Sequence, residues 1–384
     1  MKVIRARLFE VALPLREPFT ISGGTMAVRR SLIVELTDDS GNRGYGESAP
    51  FELPFYSSET TASARACLEA LLLPSVIGQD LASSSATRDR LDLLARGNRM
   101  AKAGVETAWW DLQASREGVS LADLVSRRLE ALGIAGATRS RRPVIDCGVA
   151  LGIPPGNSGA VLREWVRDAL RAGYRRIKLK VRPGWDEEPV RVTQEELRAS
   201  GKDLPVWVDA NGAYLLDRDL SALRRLDDLR LVFLEQPLPE DALWDSCELG
   251  RQLKTPICFD ESLTSDEVAR QVLEMGGPGI WNIKIQRVGG LEEACRIYAR
   301  AVRAGVRLWG GTMPETGLGA QAMLALGGHS GFVFPSDIEP SDRWYEAGTD
   351  LVPLTMAPDG TMAVPSKRPV FEPDERVGLI ADLF

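Results

Sequence analysis

Three carboxylates close three apolar runs of this 384-residue chain: Asp209 in VWVDAN, Glu235 in FLEQP and Asp260 in ICFDES. They lie 26 and 25 residues apart, close to the length of one strand-helix unit. On neighbouring parallel strands they would rise together at one level. A single acid after a strand can simply cap the next helix. Three converging anions, however, repel in a half-buried site unless a cation sits between them. All-oxygen ligation by carboxylates selects a hard ion, Mg2+ with Mn2+ as a substitute, over Zn2+.

The lysines add a second signal. In RIKLKV, Lys178 and Lys180 share one face of the strand, while Ile177, Leu179 and Val181 share the other. The apolar set must pack against helices, so the lysines point the opposite way, into the interior. WNIKI repeats the pattern around Lys284. Buried lysines are rare unless paired. Across an eight-stranded barrel the two strands face each other, so Lys180 and Lys284 would flank whatever the metal holds. A metal-bound carboxylate has an acidified α-carbon, because the cation stabilises the enediolate formed on deprotonation. A lysine acts as the base only when neutral. Burial, the neighbouring Lys178 and a divalent cation are each expected to lower its pKa from about 10.4.

The elements that position these groups follow from periodicity. Residues 1–130 read as an α+β capping domain: a strand meander to about residue 50, then helices. Two flexible segments interrupt it, EPFTISGGT at 17–25 and PFELPFYSS at 50–58. Val105, Ala108, Trp109 and Leu112 fall on one face of an amphipathic helix. From 143 to 340, eight short apolar runs recur: VIDCGVAL, RIKLKV, PVWVDAN, LVFLEQP, PICFDES, IWNIKIQ, VRLWGG and FVFPSDI. Each ends in a polar or Gly-rich turn before a helical stretch. Eight such units predict an α/β fold of the closed (β/α)8 TIM type, whose active site lies at the C-terminal ends of its strands. The segment 341–384 is expected to pack back on the capping domain.

KLK, VDAN, LEQPL, FDES and NIKIQRVGG together resemble the enolase superfamily, in its muconate-lactonizing branch. Within that branch the chain is most similar to the o-succinylbenzoate synthase / N-succinylamino acid racemase group. FYSSET, GNRMAKAGVETAWWDL, YRRIKLKVRPGWDEEPVR and SDRWYEAGTDL extend the likeness over nearly the whole chain. The resemblance implies metal ligands at Asp209, Glu235 and Asp260 and acid/base lysines at Lys180 and Lys284. It implies substrate contacts at Lys178, Asn211, Thr312, Met313, Glu315, Phe19 and Tyr56, with Arg287 and Glu261 behind the ligands. Arg287 is expected to help hold Lys284 neutral. The activity implied is Mg2+-dependent dehydration to o-succinylbenzoate for menaquinone synthesis. Racemisation of N-succinyl or other N-acyl amino acids is the alternative, with cycloisomerase or dipeptide epimerase chemistry behind it. Two positions depart from the group. Ala150 stands where the group has Ser, and Thr312 replaces the second Gly of its Gly-Gly-Met-x-Glu stretch. Both departures bear on the substrate and leave the metal and lysines untouched.

Other chemistries fit less of the sequence. Glu235 and Glu315 imitate a glycosidase carboxyl pair, but that leaves Asp209, Asp260 and two inward lysines without a role. GLGAQA at 317–322, followed by Asp337, imitates a dinucleotide fingerprint, yet too little chain remains for the rest of that domain. A non-catalytic barrel would have little reason to bury lysines opposite a carboxylate cluster. The net charge of −7 argues against a nucleic-acid partner. No apolar run is long enough to span a membrane. Five scattered cysteines without a CxxC motif read as reduced and structural, in a cytoplasmic protein without a signal peptide. The single histidine, His329, disfavours a His-based mechanism. The expected partner is a small carboxylate substrate, and a homo-oligomer is compatible with the sequence.

Overall fold

The computed structural model describes residues 1–384. Three long strands, β1 (Val3–Thr20), β2 (Thr25–Asp38) and β3 (Arg43–Ser48), form an antiparallel meander. The segment expected to be flexible at 17–25 is mostly strand: Phe19 pairs with Met26 and Thr20 with Thr25. Gly23 and Gly24 turn this hairpin tightly over Phe55, where an added Cβ would clash at 2.6 and 2.5 Å. One face of the sheet is covered by the helix Arg99–Glu117. That helix is not amphipathic in place, because every residue from Met100 to Leu112 is buried. It lies between the sheet and the barrel, so the expected polar face is buried too. Gly44 and Gly46 permit the close approach, since a Cβ at Gly46 would lie 2.2 Å from the Gly104 carbonyl oxygen.

The barrel strands follow in the order expected of eight repeated units. After β4 (Val144–Asp146) come β5 (Val149–Leu151), β6 (Ile177–Lys180), β7 (Val206–Asp209) and β8 (Leu234–Glu235). Then come β9 (Ile257–Phe259), β10 (Ile280–Ile283) and β11 (Arg307–Gly310). β5 to β11 form one parallel sheet, each strand beside its sequence neighbour. VIDCGVAL therefore splits, and only its second half is a barrel strand. The eighth run, FVFPSDI, is not a continuous strand. It closes the ring through isolated parallel bridges, Phe332 with Leu308 and Ser336 with Cys147. Pro335, which has no N–H to give to a ladder, lies between those bridges. Asp337 N–H nevertheless reaches the Gly310 oxygen at 2.8 Å, so the end of this run is fixed. Inside the barrel Trp207, Phe233, Cys258, Ile280 and Trp309 pack into a floor beneath the strand ends.

The C-terminal segment returns to both parts of the molecule. β12 (Thr361–Ala363) pairs with β4. β13 (Val377–Leu383) pairs with β1, from Val11–Val377 to Ala6–Leu383. Buried carboxylates lock the capping domain onto the barrel. Glu106 accepts the N–H groups of Leu291 and Glu292 at 2.7 and 2.9 Å, capping the barrel helix Leu291–Ala304. Glu47 does the same for the helix Gly317–Gly327 through the N–H groups of Thr316 and Gly319. Each anion sits where unpaired helix N–H groups and the positive end of the dipole meet it.

Glu292, also at this junction, takes both nitrogens of an Arg128 fork and Nε of Arg296. Burial raises its pKa, but the hydrogen bonds from Arg128, Arg296 and Ser84 outweigh that and bring it to about 2. A carboxyl held below its unfolded value contributes stability above that value and loses it as pH falls through the folded one. The contribution is about 2–3 kcal/mol at neutral pH. Lowering the pH from about 4.5 towards 2 is therefore expected to cost wild type more than Glu292→Gln. Chemical denaturation at pH 7 and pH 3 measures this; equal losses in both proteins would refute it.

Candidate active site

Register brings the site together. In the parallel ladder Lys180 stands opposite Asp209, and Asp209 opposite Glu235. Glu235 is opposite Cys258, so Asp260, two residues on, rises from the same face one step higher. One oxygen each from Asp209, Glu235 and Asp260 fall within 4.8 Å of one another, and all three residues are fully buried. Glu235 Oε2 is buried without a hydrogen-bond partner, while Oε1 accepts Asn282 Nδ2 at 3.1 Å. Burial, then the charge of Asp209, drives the Glu235 pKa well above the ordinary carboxylate range. An unpartnered oxygen in a cluster of three anions is what a cation ligand set looks like, so these residues fit a divalent metal.

Both lysine strands point inward. Lys180 Nζ donates to Asp209 Oδ2 at 2.6 Å and to Asn211 Oδ1 at 2.9 Å. From the opposite flank, Lys284 Nζ donates to Asp260 Oδ2 at 2.8 Å and to the Tyr56 hydroxyl at 3.1 Å. Lys178 lies deeper, 3.4 Å from Asp209 and 3.6 Å from Glu235, and pairs with Asp337. At Lys284 the protein's own charges act against the lowering that burial brings. Burial does lower Lys284, but Asp260, Tyr56 and Glu261 together outweigh it and raise the pKa well above its ordinary value. Lys178 is raised in the same way by Asp337, Glu235 and Asp209 against its burial. The carboxylates that the fold gathers there outweigh burial and the neighbouring cations. Arg287 does act downward on Lys284, as expected of its charge.

The remaining expected residues divide. Phe19, Tyr56, Thr312 and Met313 line a narrow cavity of about 40 Å³ with Lys178, Lys180 and Lys284. That is room for a few waters, beneath the segments that carry Phe19, Phe51 and Tyr56. Asn211, held at φ 46°, joins Lys180 to Glu261 through Nδ2 at 2.7 Å. The Glu261 carboxyl is pushed up to about 7 by burial and by the charges of Asp260 and Asp209. Arg287 grips Asp260 and donates to the Leu263 oxygen at 3.1 Å. Glu315 does not face the cavity. It turns back to the Met313 N–H at 2.9 Å beside Glu47.

Several pocket residues went unrecognised in the sequence. Asn282 precedes Lys284 by two, so strand alternation could have placed it. Asp337 was weighed only as part of a dinucleotide fingerprint, although it ends the eighth run. Burial raises it, but Arg176 and Lys178 prevail and hold it at about 2. Glu339, Trp344 and Phe51 also line the cavity. Glu339 Oε1 accepts the Ala150 N–H at 2.9 Å, and its Oε2 has no hydrogen-bond partner. Phe51 lies in the 50–58 segment and Trp344 in SDRWYEAGTDL, but no local signal marked Glu339. The glycines of 317–322 serve packing: a Cβ at Gly317 would meet the Val352 oxygen at 1.8 Å. Asp350 accepts the Gly317 N–H, which leaves that helix start no room for a nucleotide phosphate. His329 is buried outside the cavity lining, between Ser126 Oγ and the Leu326 oxygen. The five cysteines are buried and unpaired. No helix is long and apolar enough to cross a membrane.

Residues 161–369 match the enolase C-terminal domain-like family, and residues 3–126 match the mandelate racemase / muconate lactonizing enzyme N-terminal domain. The chain belongs to the enolase superfamily. An N-succinylamino acid racemase of Thermus thermophilus is 40% identical over 95% of this chain and 93% of its own. An o-succinylbenzoate synthase of Bacillus subtilis is 37% identical over 96% and 93%. Among solved structures, an enolase superfamily member from Listeria innocua superposes with a TM-score of 0.85 at 32% identity, over 96% of this chain and 93% of that one. The protein is thus an enzyme of this superfamily, of the lyase or racemase kind, with an acidic triad able to hold a metal.

Proposed function

We propose that the protein abstracts the proton α to a substrate carboxylate, with Mg2+ at Asp209, Glu235 and Asp260, as an o-succinylbenzoate synthase. The observation that carries this reading is the placement of two lysines on opposite flanks of the triad, 2.6 Å from Asp209 and 2.8 Å from Asp260. The bound cation would supply charge stabilisation to the carboxylate as its α-proton leaves. Lys180 takes that proton and then assists loss of the β-hydroxyl as water. Lys284, on the other flank, holds its proton and faces the developing negative charge as a cation. Lys178, at the floor of the cavity, orients the substrate carboxylate. Phe19, Phe51 and Met313 exclude water from the reacting carbon.

The same pair of lysines favours a second reading. With one amine on each flank, one removes the proton and the other returns it, which is racemisation of an N-succinyl amino acid. Ala150 in place of a hydroxyl, and the methyl of Thr312, change the space for the substrate tail in either case.

The deciding experiment is turnover of the o-succinylbenzoate precursor by purified protein with Mg2+ and with EDTA. Metal-dependent turnover at about 1 to 10³ per second is expected. Turnover that survives EDTA would overturn the metal assignment. Absent turnover, with metal-dependent deuterium uptake into N-succinyl amino acids in D2O, would replace the synthase with the racemase.

A further inference from the structure

A second polar cavity, of about 230 Å³, lies where the capping domain meets the barrel. Four of its lining side chains are cations, Arg88, Arg96, Arg99 and Lys102, and two are anions, Asp92 and Glu293. Both anions are already engaged. Asp92 accepts Lys102 Nζ at 2.7 Å, and Glu293 Oε2 lies 2.9 Å from Arg88 Nε. Arg96 and Arg99 take part in neither of these ion pairs. Among the lining side chains cations outnumber anions by two, with Glu59 behind Arg99 and Lys102 and Asp89 beside Arg88. Its base is buried, Lys102 and Glu293 being 6% and 3% exposed, while Arg99 is half-buried and Arg96 exposed at its rim.

The cavity also touches the segments that carry the active site. Thr264 lines it four residues beyond Asp260, and Gly289 lines it at the end of the short helix that follows Lys284. Arg287 ties these segments together, holding Asp260 with one nitrogen and the Leu263 oxygen with another. The opposite wall belongs to the capping domain, from Arg88 to Lys102.

We propose that this cavity is a binding site for a compact phosphate-type dianion, free or as a monoester, held by the guanidinium groups of Arg96 and Arg99. Planar forks of this kind match phosphate oxygens in pairs. Occupancy bridges the capping domain to the backbone that bears Asp260 and Lys284, and so stabilises the junction.

The test is titration of the Mg2+-loaded protein with inorganic phosphate and, separately, with glycerol phosphate. Ionic strength is held constant with chloride, and binding is read by calorimetry and thermal melting. Wild type is expected to show saturable binding and a rising Tm. Arg96→Ala/Arg99→Ala is expected to bind at least about tenfold more weakly, with its basal turnover unchanged. Tighter binding of the ester would identify a stemmed ligand, and equal binding free phosphate. Equal affinity in wild type and variant would overturn the proposal, because the anion would then sit elsewhere, as on the active-site cations. Failure of wild type to saturate would overturn it too. Should the double variant melt early, the exposed single change Arg96→Ala repeats the comparison.

Discussion

Lys180→Ala and Lys284→Ala are each expected to lower kcat by about 10²–10⁴-fold, the usual contribution of a positioned acid or base. Both proteins should fold and bind metal. After Lys180 is removed, Asp209 still has Lys178 at 3.4 Å; after Lys284 is removed, Asp260 still has Arg287. Neither ligand is then left as a buried anion without a counter-charge, the situation that costs most. Deuterium exchange at the α-carbon separates the two proposed activities. If the lysines work on opposite faces, each variant keeps exchange with one enantiomer of an N-succinyl amino acid and loses it with the other. If only Lys180 is the base, Lys180→Ala loses exchange altogether, while Lys284→Ala slows exchange and dehydration of the synthase substrate together, because both pass through the same developing negative charge. Full activity in either variant would refute the two-lysine mechanism.

Glu235→Gln and Asp260→Asn should both weaken Mg2+ binding by at least about 100-fold, the upper range seen when mere supporting partners of ligands are removed. Their effects on stability should have opposite signs. The Glu235 charge is disfavoured by burial and by Asp209, and its Oε2 has no hydrogen-bond partner. Neutralising it relieves repulsion, so in EDTA the Tm of Glu235→Gln should match or exceed that of wild type. Asp260 instead balances Lys284 and Arg287 in the interior. Its replacement leaves those cations short of a partner and should cost about 3–5 kcal/mol. Calorimetric Mg2+ titrations and melts in EDTA test both statements. Unchanged metal affinity in either variant would remove that residue from the ligand set. A Glu235→Gln protein much less stable than wild type in EDTA would show that the triad is not under electrostatic strain.

Whatever depends on local alternation and spacing was legible in the chain before it folded. Lys178 and Lys180 had to face inward, because Ile177 and Leu179 between them needed apolar cover. Asp209, Glu235 and Asp260 had to end successive strands, because each closes an apolar run one unit from the next. These local patterns, with the motifs that resemble the superfamily, were enough for the barrel and its triad. The tertiary structure decided whatever depends on partners distant in the chain. Asp337, more than a hundred residues from Lys178, becomes its counter-ion only when the eighth run closes the ring despite Pro335. Glu106 and Glu47 look like ordinary helix and strand acids until they meet helix N-termini across the domain junction. Glu315 sits in a stretch that resembles the family's, yet a backbone turn directs it away from the cavity. The charges around Lys284 were likewise out of reach of the sequence. Burial can be read from flanking residues, but the balance of burial against Asp260, Tyr56 and Glu261 exists only once three separate segments converge. Electrostatic energies in a low-dielectric interior depend on every charge within a few ångströms, and only the folded chain sets those distances.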